Sequence, residues 1–422
     1  MNILFRNVRV VQPESAWHGQ SIDIFIQDGI ISGIGKALPD AGAEVIDMNG
    51  ACVSVGWFDM SVRSGEPGFE YKEDLQSLCS AALDGGFTGV LLMPDGAPCT
   101  DHKGAVELVY RRTMHSPLRV HSAGALSKEM KGEELSEMYD LHLAGSIAFT
   151  DSARPVKNAK LLLLAMQYAQ SFRRPILCTS LDAYLAKGAS VNEGPEAVNL
   201  GMKGIPAFAE DVSVNRDLQI AAYAGTPLHF MNVTSPAAVQ QIAAAREKGA
   251  GVSVSLGVHY LAFSDEQLQT FDSNYKVFPP LRSEDMRLEL LRQVKEGQIQ
   301  ILTSDHTPED RERKIIEFEK AAYGIIGLQT FFGVVCQTLG TENLERTLHT
   351  FTVAPRRLLG LEIPRIEKDA EAELTFFDPE AVWTFTREKN RSRSENSPFI
   401  GTEFKGKPLG VYTRKQWVRS GL

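Results

Sequence analysis

With 422 residues the chain exceeds one small core, and at about 100–200 residues per domain it points to one large domain and a smaller one. Hydrophobic residues make up 43% and charged residues 23%, as in an ordinary globular protein, and the net charge of −9 argues against nucleic acid or an anionic membrane as a partner. No apolar run approaches the ~20 residues that span a bilayer, and the start Met1-Asn2-Ile3-Leu4-Phe5-Arg6-Asn7 lacks the pattern of a secretion signal, so a cytoplasmic location is expected.

Residues 1–50 read as short strands and turns. Stretches 3–11 and 22–27 are strand-like, Asp28-Gly29 before Ile30-Ile31 marks a hairpin, and 44–50 adds another strand and turn. At Ala51 the pattern changes. From 51 to 355, candidate strands at 53–60, 89–93, 118–121, 146–150, 175–179, 227–233, 251–256 and 299–303 alternate with helix-period segments such as 73–83, 159–170, 237–248 and 284–295. About eight strand–helix units predict a (β/α)₈ barrel. A doubly wound open sheet has the same local alternation, although no Gly-x-Gly-x-x-Gly supports nucleotide binding. Residues 356–422 return to strands, clearest at 373–379 and 409–413, so the two ends are expected to fold together as one small β domain. The basic run from Arg387 to Arg393 reads as a solvated loop, and the charged segment from Glu309 to Lys320 as a solvated loop and helix or, equally, as a partner surface.

The first barrel strand runs into Gly56-Trp57-Phe58-Asp59-Met60-Ser61-Val62-Arg63-Ser64-Gly65-Glu66-Pro67-Gly68, at the strand end where such barrels place their chemistry. This stretch resembles the first-strand signature of dihydroorotases and related cyclic amidohydrolases, Gly-Phe-x-Asp-x-His-x-His-x-Arg-Glu-Pro-Gly. Further marks follow in the family's order: Lys72-Glu73-Asp74, Gly85-Gly86-Phe87-Thr88, Met93-Pro94, Phe149-Thr150-Asp151, Asn192-Glu193-Gly194, Pro279-Pro280-Leu281-Arg282, Ser304-Asp305-His306, Gly324-Ile325-Ile326-Gly327-Leu328 and Pro398-Phe399-Ile400-Gly401. The resemblance implies the (β/α)₈ barrel with a small β-sandwich domain built from both termini. It also implies hydrolysis of a cyclic amide in pyrimidine biosynthesis, by water held between two zinc ions.

The same resemblance shows where this chain departs. The zinc ligands would be a first-strand His-x-His, a fourth-strand carboxylate, histidines on strands five and six, and an eighth-strand aspartate. Those positions carry Ser61 and Arg63, Asp151, Thr179, Asn232 and Asp305. Two carboxylates without imidazole do not make a zinc site, so no metal or other cofactor is expected. The substrate-gripping arginine aligns with Gly65, and three further family contacts align with Asp95, Phe278 and Glu309. We read Asp151 and Asp305 as remnants rather than a working acid–base pair. Arg63 is expected to face both and to stand in for the metal's charge. His229 and His259 read as packed histidines, and His306 equally as packed beneath a loop or catalytic. The five scattered cysteines form no Cys-x-x-Cys motif, and Cys178, among them, reads as a buried thiol.

Three functions follow. One is a non-catalytic dihydroorotase-like protein, a homo-oligomer that serves as a structural or regulatory partner of aspartate transcarbamoylase. A second is an active dihydroorotase, or other cyclic amidohydrolase, with a rearranged site. The third is a metal-free pocket for a different small molecule.

Overall fold

A computed structural model describes residues 2–422. The chain opens with five strands, β1 (Asn2–Val10), β2 (Ser21–Gln27), β3 (Ile30–Gly35), β4 (Glu44–Asp47) and β5 (Cys52–Val55). The barrel strands are β6 (Trp57–Val62), β7 (Phe87–Leu92), β8 (Arg119–Gly124), β9 (Ala148–Phe149) and β10 (Ile176–Cys178). After a two-stranded excursion, β11 (Val191–Asn192) and β12 (Gly204–Ile205), come β13 (Leu228–Phe230), β14 (Val252–Gly257) and β15 (Ile301–Thr303). The chain closes with β16 (Leu374–Thr384), β17 (Glu403–Thr413) and β18 (Gln416–Arg419).

All eight expected barrel strands are present, in the parallel order β6-β7-β8-β9-β10-β13-β14-β15. A bridge from Val62 to His306 brings the first and last together. The β domain is a single branched sheet, β18-β17-β16-β5-β1-β2-β3 with β4 on β1, so the two chain ends do fold together.

One boundary differs from the sequence reading. The strand expected over 53–60 is two strands: β5 pairs with β1 and β16 in the β domain, and β6 opens the barrel. Gly56 is the joint. Its N–H donates to Glu373 O at 2.8 Å, and a Cβ there would sit 2.1 Å from Thr88 Oγ1, so only glycine lets the strands come this close. The barrel therefore begins at about Gly56 rather than at residue 51.

Aromatic packing fastens the domains together. Trp57, fully buried, lies 4.7 Å from Phe332 and 5.4 Å from both Phe351 and Phe377, ring centre to ring centre, and its indole N–H donates to Ser54 Oγ at 3.0 Å. Phe377 belongs to β16, so one tryptophan bridges barrel, outer helix and β domain. In the β domain itself Phe5 packs on Phe376 at 4.3 Å and edge-on to Trp417 at 5.0 Å. The barrel interior is apolar near Phe58, Met60, Leu91 and Ile301. Polar groups gather at the strands' C-terminal ends.

Candidate functional site

The loop leaving β6 is stitched to the loop leaving β15 by Arg63 N–H donating to His306 O at 2.9 Å. The Arg63 side chain then lies across the barrel mouth. Its Nη1 is 2.9 Å from Asp305 Oδ1 and donates to Thr307 Oγ1 at 2.8 Å, while Nε is 3.2 Å from both Asp95 Oδ2 and Ser152 Oγ. Ser61 Oγ donates to the same Asp305 oxygen at 3.1 Å, and Ser152 Oγ donates to Asp95 at 2.5 Å. One guanidinium thus ties together the loops that follow β6, β7, β9 and β15. Burial disfavours its charge, but Asp305 and Asp95 outweigh that cost and hold its pKa above the ordinary arginine value. Just below, buried Asp59 accepts from Ser61 N–H at 2.9 Å and Ser304 N–H at 2.8 Å, and burial raises its carboxyl to about 6.

Asp151 corrects the expectation drawn for it. Arg63 reaches Asp305 but not Asp151, whose carboxylate turns to the loop after β8. There it accepts from Leu126 N–H at 3.0 Å, Ser127 N–H at 2.9 Å and Ser127 Oγ. Three donors satisfy it and Arg154 favours its charge, although burial still raises its pKa. Asp95 takes the place expected of Asp151 as the second carboxylate paired with Arg63.

The other expected site residues fall into two sets. Thr179 is tied down, its hydroxyl donating to Ser152 O at 2.8 Å. Asn232 is buried in a left-handed conformation (φ +49°), with its Oδ1 meeting no donor in the described chain. Phe278 forms cavity wall, edge-on to Tyr323 at 5.5 Å. Gly65 closes a tight loop: its N–H donates to Glu73 O at 2.8 Å and its carbonyl accepts from Phe69 N–H at 2.6 Å. A Cβ at Gly65 would lie 1.9 Å from Phe69 O, so this loop has room for no side chain there.

Glu309 pairs with Lys72 Nζ at 2.9 Å, beside the family's Lys-Glu-Asp mark. Most of the segment after Glu309 is the exposed surface expected of it, held down by two buried residues. Lys314 and Phe318 are buried, and Lys314 Nζ donates to Ala322 O and Gly324 O, both at 3.0 Å. With only carbonyls in contact, burial lowers Lys314 to about 7. Lys276 braces the same loop, donating to Phe318 O at 2.8 Å and Glu319 O at 2.7 Å. The basic run ending at Arg393 is likewise docked: Arg393 pairs with Asp74 at 2.8 Å, Ser392 donates to Glu73, and Ser394 donates to Lys72 O at 2.8 Å. Both segments carry exposed charges on buried anchors, a mixture that charge counting alone does not reveal.

His229 sits between Ser253 Oγ and Ser255 Oγ at 2.8 and 2.9 Å, and burial lowers it to about 3. His259 is fully enclosed and lowered to about 4 by the same cause. His306 accepts from Gly327 N–H at 3.3 Å beneath its loop. Burial pushes the Cys178 thiol well above its usual range, which leaves it inert as a nucleophile.

Sequence reasoning passed over one buried cluster. Arg282 donates to Thr234 Oγ1 at 2.9 Å, Asn192 Oδ1 at 2.9 Å, Ile205 O at 3.3 Å and Glu210 Oε1 at 3.1 Å. Asn192 in turn donates to Asp265 at 2.8 Å. Two family marks, Asn192-Glu193-Gly194 and Pro279-Pro280-Leu281-Arg282, thereby prove to be one clamp over the loops after β10, β13 and β14.

A family model described as dihydro-orotase-like matches residues 50–237. Dihydroorotases of Pelobacter propionicus and Geobacter metallireducens are 35% and 33% identical over 410 residues, covering 96% of this chain and 96% of each relative. The chain belongs to the dihydroorotase family. Solved structures share the fold. An L-hydantoinase (dihydropyrimidinase) from Arthrobacter aurescens superposes with a TM-score of 0.87 at 23% identity, over 100% of this chain and 96% of that one. A dihydropyrimidinase from Brevibacillus agri gives 0.83 at 21%, over 100% and 95%.

Within this dihydroorotase-family barrel the donors do not fit a two-metal centre. Among the described residues no three His, Cys, Asp or Glu side chains gather in a group that could hold a metal ion. Of the six ligand positions that the resemblance implies, Asp151 and Asp305 alone carry carboxylates, and both are engaged elsewhere. The Arg63 guanidinium takes up Asp305 directly as its ion-pair partner.

Proposed function

We propose that this dihydroorotase-family chain does not open a cyclic amide by metal-activated water, and that it serves in pyrimidine biosynthesis as a structural or regulatory partner of aspartate transcarbamoylase. The observation that carries the first part is the Arg63 guanidinium, ion-paired with Asp305 at 2.9 Å and Asp95 at 3.2 Å in the mouth of the barrel. It fills the place of a ligand with a group that donates hydrogen bonds and cannot donate an electron pair. The partner role rests on the family resemblance together with the intact fold around the altered mouth.

Metal analysis and a dihydroorotate turnover assay on the same purified sample, followed by co-purification with aspartate transcarbamoylase, test the proposal. Expected are no stoichiometric zinc, no turnover and a stable complex. Bound zinc together with turnover would establish the active-enzyme reading instead.

A metal-free binding pocket has an observation of its own. A cavity of about 1080 Å³ opens above Arg63, and its lining includes the cations Arg154 and Lys203. This favours a small anion as the occupant. Calorimetric titration with dihydroorotate and with other small carboxylates tests it, and heat that disappears in Arg63→Met would support it.

A further inference from the structure

A second cavity, of about 610 Å³, lies at the end of the barrel away from the mouth. Ser253 and Ile301, at the starts of β14 and β15, form its back wall. Its sides come from the end of the helix Glu284–Glu296, from Leu339 at the end of Phe331–Leu339, and from the short helices Leu344–His349 and Val353–Leu359. β15 begins here at Ile301 and runs up toward Asp305, so a full strand separates this cavity from the mouth. Among the described residues the two cavities share no lining residue.

Local sequence shapes the wall. The helix Glu284–Glu296 stops on Gly297 in the left-handed conformation (φ +78°), and a Cβ there would sit 2.6 Å from Arg346 Nη2. Glycine therefore lets the Arg346 guanidinium lie against the end of the helix. The carbonyls of that turn are served by other donors. Gly297 O accepts from Gln300 Nε2 at 3.1 Å and from Arg246 at 3.4 Å, and Gln298 O accepts from Arg246 at 3.2 Å. Glu296, on the same turn, pairs with Arg292 and accepts from Gln298 Nε2 at 3.1 Å. Shape thus places Arg346, while the charge and the carbonyls beside it are engaged elsewhere.

The lining divides into two halves. Val294 and Ile301 are buried and Leu339 and Leu358 half-buried, which makes one half apolar. Lys295, Arg346 and Arg357 are exposed cations in the other, and Glu342 is the one carboxylate among the described lining residues. In a chain of net charge −9 this local excess of positive charge runs against the average. We propose that the cavity binds a small organic anion that carries a carboxylate or phosphate on an apolar body. Its volume is that of a drug-sized ligand site, where apolar walls bury the body and a few polar groups fix its orientation. A guanidinium grips either acid through two parallel N–H bonds. An inorganic anion would leave the apolar half wet, and a neutral molecule would leave the cations unused. The two halves together select the class of ligand.

Calorimetric titration of the full chain with naphthoate and with naphthyl phosphate tests this and tells the two acids apart, with naphthol and inorganic phosphate as controls. Expected is one molecule of at least one naphthyl acid per chain, naphthol weaker by about tenfold or more, and no heat from inorganic phosphate. Arg346→Gln and Arg357→Gln should each weaken the acid by about tenfold with unchanged thermal melts, and Arg111→Gln on the remote helix Lys103–Thr113 should bind as the wild type does. Hydrogen exchange of the wild type gives a readout that needs no variant: the acid should protect residues 297–301 and 343–349 and leave the loop 63–73 unchanged. No heat from either acid, naphthol binding as tightly as the acids, or an affinity that survives in both glutamine variants would overturn the proposal. So would heat lost only in Arg63→Met, or protection confined to the loop 63–73, since the acid would then sit in the mouth. Turnover of dihydroorotate would defeat the proposed function and leave this inference untouched.

Discussion

Two arginines are buried at the same end of the barrel and are held in different ways. Arg282 and its carboxylate partner Glu210 are both 1% exposed, and Glu210 accepts in addition from Thr234 and Ser235. Arg63 is 11% exposed, its partners Asp305 and Asp95 are 7% and 24% exposed, and the group borders an open cavity. The first is a closed clamp that holds loops in place. The second is an open lattice facing the pocket. The difference separates the residues that keep the family's fold from those that would determine its chemistry.

Substitutions can break that contrast. Arg282→Met leaves Glu210 buried without a counter-charge and is expected to cost about 3–5 kcal/mol, read by denaturant unfolding. Gly65→Ala drives a methyl into Phe69 O and should cost ~1–3 kcal/mol, because the loop from Arg63 to Glu73 must shift. Arg63→Met is expected to cost less than Arg282→Met, about 1–3 kcal/mol, since water can reach the carboxylates it abandons. Adding Asp305→Asn should recover part of that loss, and the recovered part measures the coupling between the pair. Equal costs at Arg63 and Arg282 would mean that the mouth is as closed as the clamp.

The smallest effect concerns pH. Lys314 has a folded pKa of about 7 against an ordinary 10.5, so between those values the unfolded chain binds more protons than the folded one. Its destabilising contribution is therefore fully present below about pH 7 and is relieved as pH rises toward 10.5. Wild-type stability should climb over that window relative to Lys314→Met, and parallel pH profiles of the two would refute the assignment.

Most of the fold was legible in the sequence because barrel strands are short apolar runs and their spacing is regular. Gly56 was not, since a glycine joint between two buried strands leaves the apolar run unbroken. The erased ligand positions Ser61, Arg63, Thr179 and Asn232 could be read by resemblance, as could the position of Asp305. Which carboxylate would meet Arg63 could not. That depends on the loop after β8, where Leu126 and Ser127 capture Asp151 with backbone amides that have no signature in sequence. Ser152 and Glu210 escaped for a similar reason, because each matters only through partners distant along the chain.

The β5 strand has one further consequence, for the order of assembly. One side of it pairs with β1 near the start of the chain, through Val53 and Val10, and the other with β16 near the end, through Val53 and Phe376. A ribosome delivers the first partner long before the second. Until the last strands emerge, the edge of β5 has no neighbour, and the tryptophan hub at Trp57 lacks Phe377. The barrel and the β domain thus become complete in one late, long-range step, the kind that makes folding slow. A chain truncated before β16 should expose that edge and aggregate, a failure set by timing and not by any weakness of the finished core.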